Sequence, residues 1–306
     1  MRNNIKKGIL FAFIASIISG VAIFYSKISV TKIDPLVLTT SRNLIAGGLL
    51  VISYWLFAKK EELRKIKKDD LFKLVFIGIF GGGIPFYLFF SGLKIVDTAI
   101  TANLIQKTLF VWVSLFAVIF LKEKLNWKYW VSFLLVISAN LFLVKFLFSF
   151  GKGELLILVA TLFWSIENIV TKRVLKNISS ELASLFRMGI GSIFLLLTVF
   201  GSGKLNILLT INLNQLAIIF LGGTILFFYV SFWYKALKFA PASLVTLVLT
   251  FSVVVGNVLN GSFGGIQLRG NEVISSGIIG LSVLIIYFAT LYQPLRLKKS
   301  GMDKLK

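Results

Sequence analysis

Long apolar segments alternate along this sequence with short polar loops that are rich in Lys and Arg. Each apolar segment holds about 20 residues, the length that an α-helix needs to cross roughly 30 Å of lipid hydrocarbon. We therefore predict an all-α integral membrane protein with ten transmembrane helices and no soluble domain between them. The predicted spans are 8–26, 35–58, 71–93, 98–121, 127–144, 154–171, 180–200, 215–234, 241–259 and 272–291.

Basic residues precede the first span, as they do in a secretory signal peptide. This span is longer than the apolar region of a signal peptide, lacks a small-residue cleavage site and leads directly into a second span. We expect it to be retained as a membrane helix.

The sequence repeats itself. An offset of 145 residues aligns Gly8 with Gly153, Ala15 with Ala160, Lys27 with Lys172 and Arg42 with Arg187. Residues 1–146 then form a first five-span repeat, and residues 147–306 form a second repeat with a basic cytoplasmic tail. Because five is odd, the second repeat must enter the membrane from the opposite face. Inverted repeats of this kind favour alternating-access transport, with the binding site near the middle of the membrane between the two repeats.

Lys and Arg residues predict the orientation, because the side that holds both termini carries roughly three times as many of them as the other side. We expect a multi-pass protein of the plasma or inner membrane with both termini in the cytoplasm. The loop after the second span holds the densest basic cluster, which we expect to contact anionic lipid headgroups. The cluster comprises Lys59, Lys60, Arg64, Lys65, Lys67 and Lys68.

Composition narrows the chemistry that the chain can perform. The 306 residues include no Cys and no His, so thiolate and imidazole chemistry are excluded and we expect no metal, no cofactor and no enzymatic activity. The formal net charge of +21 lies in short loops rather than on a soluble basic face, so we expect no nucleic-acid partner. No P-loop is present, so a solute gradient or exchange must supply the energy for transport.

Lys107 lies in the middle of the fourth span, where an ammonium group needs a function or a partner. Asn103, Gln106, Lys107 and Phe110 have the spacing of one helix face, and a polar face inside a membrane typically lines an aqueous path. We predict that these four residues bind substrate and that Lys107 contacts an anionic group. The alternative is a lysine that reaches the lipid headgroups with its long side chain.

The third span contains Gly81, Gly82, Gly83 and Pro85, which are all weak helix formers. Two explanations are open. One is very close helix packing, and the other is a discontinuous helix that acts as a hinge and lines the cavity with freed backbone groups.

A second polar face lies in the sixth span, where Trp164, Glu167 and Asn168 share helical spacing. Glu167 is the one acidic residue well inside a span, and Arg187 of the seventh span is expected at a similar depth. These two residues are candidates for an ion pair, either as structural neutralisation or as a gate or proton-coupling site. Arg42 is the repeat equivalent of Arg187 but has Ala22 where an acidic partner would be expected, and it is a further gate candidate. The alternatives are that it reaches the lipid headgroups or binds backbone carbonyl groups.

Aromatic residues could form the walls of the cavity. Tyr87 and Tyr229 are repeat equivalents, and Trp164 and Trp233 combine an apolar body with a hydrogen-bonding tip. We predict that these four residues and Asn168 also bind substrate, together with the face that contains Lys107.

At this point the sequence resembles a known family. Two five-span halves, with a first half that runs GLKIVDTAITANLIQKTLFVWVSLFAVIFLKEKLN from Gly92 to Asn126, are similar to the EamA-type proteins of the drug/metabolite transporter superfamily. In that family an apolar run at the end of the fourth span precedes a glutamate, which corresponds to Glu123. The family's fourth and ninth spans commonly carry a central proline, which this chain lacks, and Lys107 lies near its place in the fourth span.

The resemblance implies a carrier, often an exporter, of small metabolites such as amino acids. It also implies a central cavity lined mainly by spans 1, 3, 4, 6, 8 and 9. A small-molecule channel and a structural membrane partner stay open as alternatives, while a lipid-modifying enzyme lacks the acid, base and metal residues that it needs. The sequence leaves open the substrate, the coupling mode and whether two copies form a homodimer.

Overall fold

The computed structural model describes residues 2–57, 61–144, 151–265 and 267–291, and the described chain consists of helices and short connections. Nine of its helices are long and apolar enough to span a membrane, and a tenth has a shorter apolar segment, Trp127–Ala139. The protein is therefore a multi-pass, all-helical membrane protein. Lys59, Lys60, the predicted boundary at 146 and the basic tail after Leu291 lie outside the described residues.

The main helices are named α1 to α10 in chain order. They are α1 Arg2–Val30, α2 Pro35–Phe57, α3 Lys68–Ile95, α4 Ala99–Leu121, α5 Trp127–Val144, α6 Lys152–Val174, α7 Ser180–Gly201, α8 Leu213–Phe239, α9 Ala242–Phe263 and α10 Gly270–Leu291. Two short helices, Glu61–Arg64 and Leu205–Leu209, lie in the loops before α3 and α8.

Packing between the helices follows the duplication of the sequence. Helix α1 packs against α8 and α9, and its repeat equivalent α6 packs against α3 and α4. Helix α2 packs against α7 and α8, and α7 packs against α2 and α3. The remaining equivalent pairs, α4 with α9 and α5 with α10, pack against each other. Each half therefore contributes the same set of contacts to the interface between them.

Two equivalent lysines make equivalent contacts in the two halves. The ammonium of Lys27 in α1 donates hydrogen bonds to the carbonyl oxygens of Leu93 and Val96 at the end of α3. The ammonium of Lys172 in α6 donates to the carbonyl oxygens of Leu237 and Ala240 at the end of α8, at 2.5 and 2.6 Å. A cation stabilises the free carbonyl groups at a helix C-terminus, so each lysine joins the first and third helices of its own half.

Helix α3 widens into a π-helical turn at Gly78–Gly83 and continues as an α-helix from Ile84. Pro85 has no N–H group, so it cannot donate the usual hydrogen bond to the carbonyl oxygen of Gly81, four residues earlier. That oxygen instead accepts hydrogen bonds from Trp164 and Arg187. The glycine-rich stretch is thus closely packed within a continuous helix, and its Gly81 carbonyl oxygen also bonds to side chains of two other helices. Its role as a hinge stays a prediction.

Helices α4 and α9 each contain a tight turn near the middle. At Thr108 the backbone N–H bonds to the carbonyl oxygen of Ile105, and the threonine hydroxyl donates to the same oxygen at 2.8 Å. At Thr250 the backbone and hydroxyl bond in the same way to Leu247, with a hydroxyl distance of 2.6 Å. Tight turns with bonds between residues i and i−3 change the phase of a helix, so the residues after each turn face a new direction.

Candidate functional site

A cavity lies between the halves, at the junction of seven helices. Its lining comes from α1, α2, α3, α4, α6, α7 and α8. The family resemblance implied a lining mainly from spans 1, 3, 4, 6, 8 and 9. The described lining therefore differs in two ways, because α2 and α7 contribute to it and α9 does not. The lining residues are Ser19, Ala22, Ile23, Ser26, Arg42, Phe86, Phe89, Phe90, Gln106, Leu109, Trp164, Asn168, Arg187, Leu226, Tyr229 and Trp233. None of these residues is acidic.

Arg42 enters the cavity from α2 and is buried, with 3% of its surface exposed. Its Nη1 atom donates a hydrogen bond to the hydroxyl oxygen of Ser26 at 2.9 Å, and its guanidinium carbon lies 4.6 Å from the centre of the Phe90 ring. The Nε atom has no hydrogen-bond partner. Arg42 therefore does not reach the lipid headgroups, and part of its donor capacity is free.

Arg187 enters the cavity from α7 and is equally buried. Its Nη2 atom donates to the carbonyl oxygen of Gly81 at 3.2 Å, and its guanidinium carbon lies 5.7 Å from the Phe86 ring centre and 5.6 Å from that of Tyr234. Its Nε and Nη1 atoms have no hydrogen-bond partner. Within the described residues neither Arg42 nor Arg187 has a carboxylate oxygen within 4.0 Å.

Glu167 is fully buried but does not form the ion pair with Arg187 that the sequence suggested. Its Oε1 atom accepts hydrogen bonds from the hydroxyl groups of Thr171 at 2.6 Å and Tyr234 at 2.7 Å. Its Oε2 atom has no partner. Tyr234 contacts both charged groups instead, because its hydroxyl bonds to Glu167 and the Arg187 guanidinium lies over its ring. Arg187 also bonds to the carbonyl oxygen of Gly81.

Lys107 lies just behind the cavity wall, with 1% of its surface exposed. Its ammonium donates to the hydroxyl oxygen of Ser19 at 3.1 Å and to the Oε1 atom of Gln106 at 2.6 Å. Ser19 and Gln106 both line the cavity, whereas Lys107 does not. The lysine neither reaches the lipid headgroups nor touches the cavity, and it acts on the cavity through these two neighbours.

The other members of the predicted face of α4 point elsewhere. The side-chain amide of Asn103 donates to the carbonyl oxygen of Ser252 in α9 at 3.0 Å. Phe110 packs edge-on against Phe133 of α5, with ring centres 5.2 Å apart. Gln106 is thus the one member of that face that lines the cavity, because α9 covers Asn103 and the turn at Thr108 rotates Phe110 away.

Three of the four predicted aromatic residues, Trp164, Tyr229 and Trp233, line the cavity, as does Asn168. The indole N–H of Trp164 donates to the carbonyl oxygen of Gly81 at 2.9 Å, and that of Trp233 donates to the Oδ1 atom of Asn168 at 3.1 Å. Both indole donors are therefore occupied, so these rings offer apolar surface. Tyr87 instead packs in a separate cluster with Leu36, Leu195 and Val199.

Sequence reasoning missed several lining residues, above all Ser19, Ser26, Phe86 and Phe89. Ser19 and Ser26 lie on the same face of α1, seven residues apart, so the spacing of small polar residues could have identified them. Phe86 and Phe89 carry no signal of their own, since the chain contains 30 phenylalanines.

Glu123, the glutamate of the resembled family motif, joins the two halves. Its carboxylate accepts hydrogen bonds from the backbone N–H of Ala242 at 2.8 Å and of Ser243 at 3.2 Å, and from the Ser243 hydroxyl at 2.5 Å. A carboxylate stabilises the free N–H groups and the positive dipole of a helix N-terminus. Glu123 therefore fastens the end of α4 to the beginning of α9.

The sequence and the fold are similar to those of known proteins. The model of the EamA-like transporter family matches the chain twice, at residues 6–145 and at residues 151–288. A solved crystal structure, described only as that of a protein, shares the fold over 93% of this chain and 98% of its own, with a TM-score of 0.71 and 16% sequence identity. No curated protein matches the sequence.

Proposed function

Because this chain belongs to the EamA-like transporter family, we propose that it is a secondary transporter of a small anionic metabolite. The observation that carries the proposal is the state of Arg42 and Arg187. Both guanidinium groups line the cavity, are buried and keep N–H donors without a partner. Burial of an unpaired charge or hydrogen-bond donor costs free energy. An anion that enters the cavity would supply the negative charge and the acceptors that these two guanidinium groups lack.

The remaining polar groups of the cavity favour an anion as well. Lys107 has donors only, so the atom of Gln106 that it contacts must be the amide oxygen, which leaves the amide N–H groups free for the cavity. Ser19 also accepts from Lys107, which leaves its own O–H group free to donate. Lys107 thus acts as a positioning residue that turns two neutral neighbours into donors, and Gln106, not Lys107, would contact the substrate.

Alternating access between two inverted five-helix repeats is the proposed mechanism. Ten spans divide into two sets of five, with repeats at 1–146 and 147–306, and an odd number of spans per repeat inverts the second one. The equivalent contacts of Lys27 and Lys172, and the matched packing of the two halves, support such a relationship. The cavity lies between these repeats, where an inverted pair can expose it to either side in turn.

We further propose that the protein lies in the plasma or inner membrane with both termini in the cytoplasm. Lys and Arg residues are concentrated on the side that holds the termini, and such residues favour the cytoplasmic side. Glu123 then fastens the cytoplasmic side of the interface, and the basic loop after α2 contacts anionic headgroups. Export is the direction that the family resemblance supports. The chain has no cysteine, so single cysteines at Lys65 and Asn206 should be labelled only from the cytoplasm and only from outside, respectively. The opposite pattern would refute the orientation.

The proposal of an anionic substrate is tested by thermal stability. A ligand that binds only the folded protein raises its apparent stability, so purified protein should be heated with a panel of anionic, zwitterionic, cationic and neutral metabolites. Small anions should stabilise the wild-type protein in a saturable manner and should stabilise Arg187→Gln much less. Stabilisation by cationic or neutral solutes alone would overturn the proposal.

A further inference from the structure

We infer that the substrate is a short dicarboxylate, held with one carboxylate at Arg42 and the other at Arg187. This inference rests on the proposed function and adds the chemical class of the ligand. Three features of the cavity carry it: the placement of the two guanidinium groups, the surface between them and the balance of charge.

The two guanidinium groups lie against neighbouring rings of one helix. Arg42 lies over Phe90 and Arg187 lies over Phe86, at 4.6 and 5.7 Å from the ring centres. Phe86 and Phe90 are four residues apart in α3, which corresponds to a rise of about 6 Å along the helix. The two cations therefore come from different halves of the chain and lie over rings that are about one helical turn apart in α3.

A continuous aromatic surface connects the two guanidinium groups. The Phe86 ring contacts Trp164 at 5.3 Å, Trp164 contacts Phe89 at 5.5 Å, and Phe89 contacts Phe90 at 5.8 Å. All four rings line the cavity, and the indole N–H of Trp164 is already bonded to Gly81. The site is thus cationic at both ends and apolar in the middle, which matches a carbon chain with an acid at each end.

The charge balance favours a dianion over a monoanion. The cavity lining contains two arginines and no acidic residue, and each arginine keeps at least one free donor. One carboxylate at either end would leave the free donors of the other guanidinium without an acceptor, whereas two carboxylates satisfy both ends, and guanidinium pairs well with the planar carboxylate group. Glu167, which lies against Gly81 beside Arg187, offsets part of the Arg187 charge from behind the cavity wall but accepts none of its hydrogen bonds.

The same arrangement disfavours a zwitterion. Its ammonium group needs an acceptor, but the described lining contains no carboxylate, and Glu167, whose Oε2 atom has no partner, lies behind the cavity wall. Two to four methylene groups, with bonds of about 1.5 Å, separate two carboxyl carbons by about 4–6 Å, the same order as the spacing of Phe86 and Phe90.

The test compares glutarate with two molecules of similar length in the wild-type protein, so that it does not depend on any variant folding. Monomethyl glutarate lacks one charge, and 5-aminopentanoate replaces one carboxylate with an ammonium group. Loss of one charge-assisted contact should weaken binding of the ester roughly 10- to 100-fold relative to glutarate, and the amine should not bind. Binding is measured by calorimetry on purified protein in detergent.

Substitution of each arginine then tests whether both bind a carboxylate of the ligand. Arg42→Gln and Arg187→Gln should each weaken glutarate binding roughly 10- to 100-fold, whereas Lys94→Gln, which removes an exposed positive charge from α3, should not change it. Equal binding of glutarate and its ester, or dependence on one arginine alone, would overturn the dicarboxylate inference but leave the anion carrier intact. If neither glutarate nor any other anion binds, the proposed function fails together with the inference.

Discussion

Gly82 of α3 lies directly against the backbone of Arg187 in α7, so that a Cβ atom added at Gly82 would lie 1.9 Å from the carbonyl oxygen of Arg187. The equivalent contact recurs in the other half, where a Cβ atom on Gly223 would lie 3.0 Å from the carbonyl oxygen of Arg42. Each cavity arginine is therefore held by a helix that approaches its backbone at a glycine. Each approach fixes the backbone of one arginine against the neighbouring helix.

Gly82→Ala should therefore destabilise the protein. The clash involves a backbone oxygen, which no side-chain rotation can relieve, so the cost should be at least the roughly 1–3 kcal/mol typical of overpacking. Gly189→Ala is the matched control, since it lies in α7 with no atom within 4 Å of an added Cβ. Thermal unfolding in detergent should show a clear loss for Gly82→Ala and little change for Gly189→Ala. Equal melting temperatures for the two variants would contradict the close approach.

Lys107→Met should weaken anion binding without loss of folding. The change removes a buried cation whose partners are neutral, so no charge is left unpaired, while Gln106 and Ser19 lose the bonds that direct their donors. Because these are ordinary hydrogen bonds to cavity residues, we expect affinity to fall roughly 2- to 10-fold. Gln106→Ala combined with Lys107→Met should weaken affinity by less than the two single effects together, because only the part of the Lys107 effect that acts through Ser19 is added. Additive effects of the two substitutions on affinity would show that Lys107 does not act through Gln106.

Glu167 and Arg187 should depend on each other even though they do not touch. Both contact Tyr234, and both keep polar atoms without partners. We expect the double variant Glu167→Gln, Arg187→Gln to be more stable than the sum of the single losses implies, with a coupling of about 0.5–3 kcal/mol. Thermal unfolding of the four proteins gives the coupling. A value of zero would mean that the two charges are energetically independent.

Acid should weaken the contact between Asp34 and Lys204, whose carboxylate and ammonium groups are 2.7 Å apart. Burial by itself raises the pKa of the Asp34 carboxyl, but the Lys204 hydrogen bond, the backbone N–H of Val37, the Lys204 charge and the N–H of Leu36 together lower the pKa below its ordinary value. A lowered native pKa stabilises the protein above the unfolded-state pKa of about 3.9, and this stabilisation is lost as the pH falls through the native value.

The melting temperature of Asp34→Asn should therefore lie below that of the wild type at pH 5 to 7. The difference should shrink as the pH falls below about 4, because the wild-type carboxyl then takes up a proton. Lys204→Met should reduce the same difference at neutral pH. A gap between wild type and Asp34→Asn that widens on acidification would contradict the lowered pKa.

The sequence predicted the apolar helices and the duplication, because apolar length and repeated positions depend on properties that single residues carry. The count of ten spans and the inversion of the second repeat stay predictions. Which side chains meet was harder to predict. The prediction that Asn103, Gln106, Lys107 and Phe110 share one face assumed that α4 is an unbroken helix. The turn at Thr108 instead directs Phe110 toward Phe133. The predicted ion pair of Glu167 and Arg187 was based only on their similar depth in the membrane. In the structure Glu167 accepts a hydrogen bond from Tyr234, and Arg187 donates one to the carbonyl oxygen of Gly81.

Arg42 and Arg187 were identified in the sequence, but their position in a common cavity was not. The sequence identified them as repeat equivalents and as gate candidates, but only the folded chain shows that α2 and α7 bring both into one cavity. The carbonyl oxygen of Gly81, to which Arg187 bonds, cannot accept a hydrogen bond from Pro85. The missing N–H group of Pro85 was visible in the sequence, but the bond to Arg187 was not.

The central claim, that the protein carries a small anion by alternating access, is tested most directly by counterflow. Purified protein is reconstituted into liposomes that are preloaded with an unlabelled anion selected by thermal stabilisation, and uptake of the same labelled anion is followed. We expect saturable uptake that transiently exceeds its equilibrium level, and a strong reduction in Arg187→Gln. Uptake that rises linearly with concentration and does not respond to the anion inside the liposomes would contradict a carrier and indicate a channel.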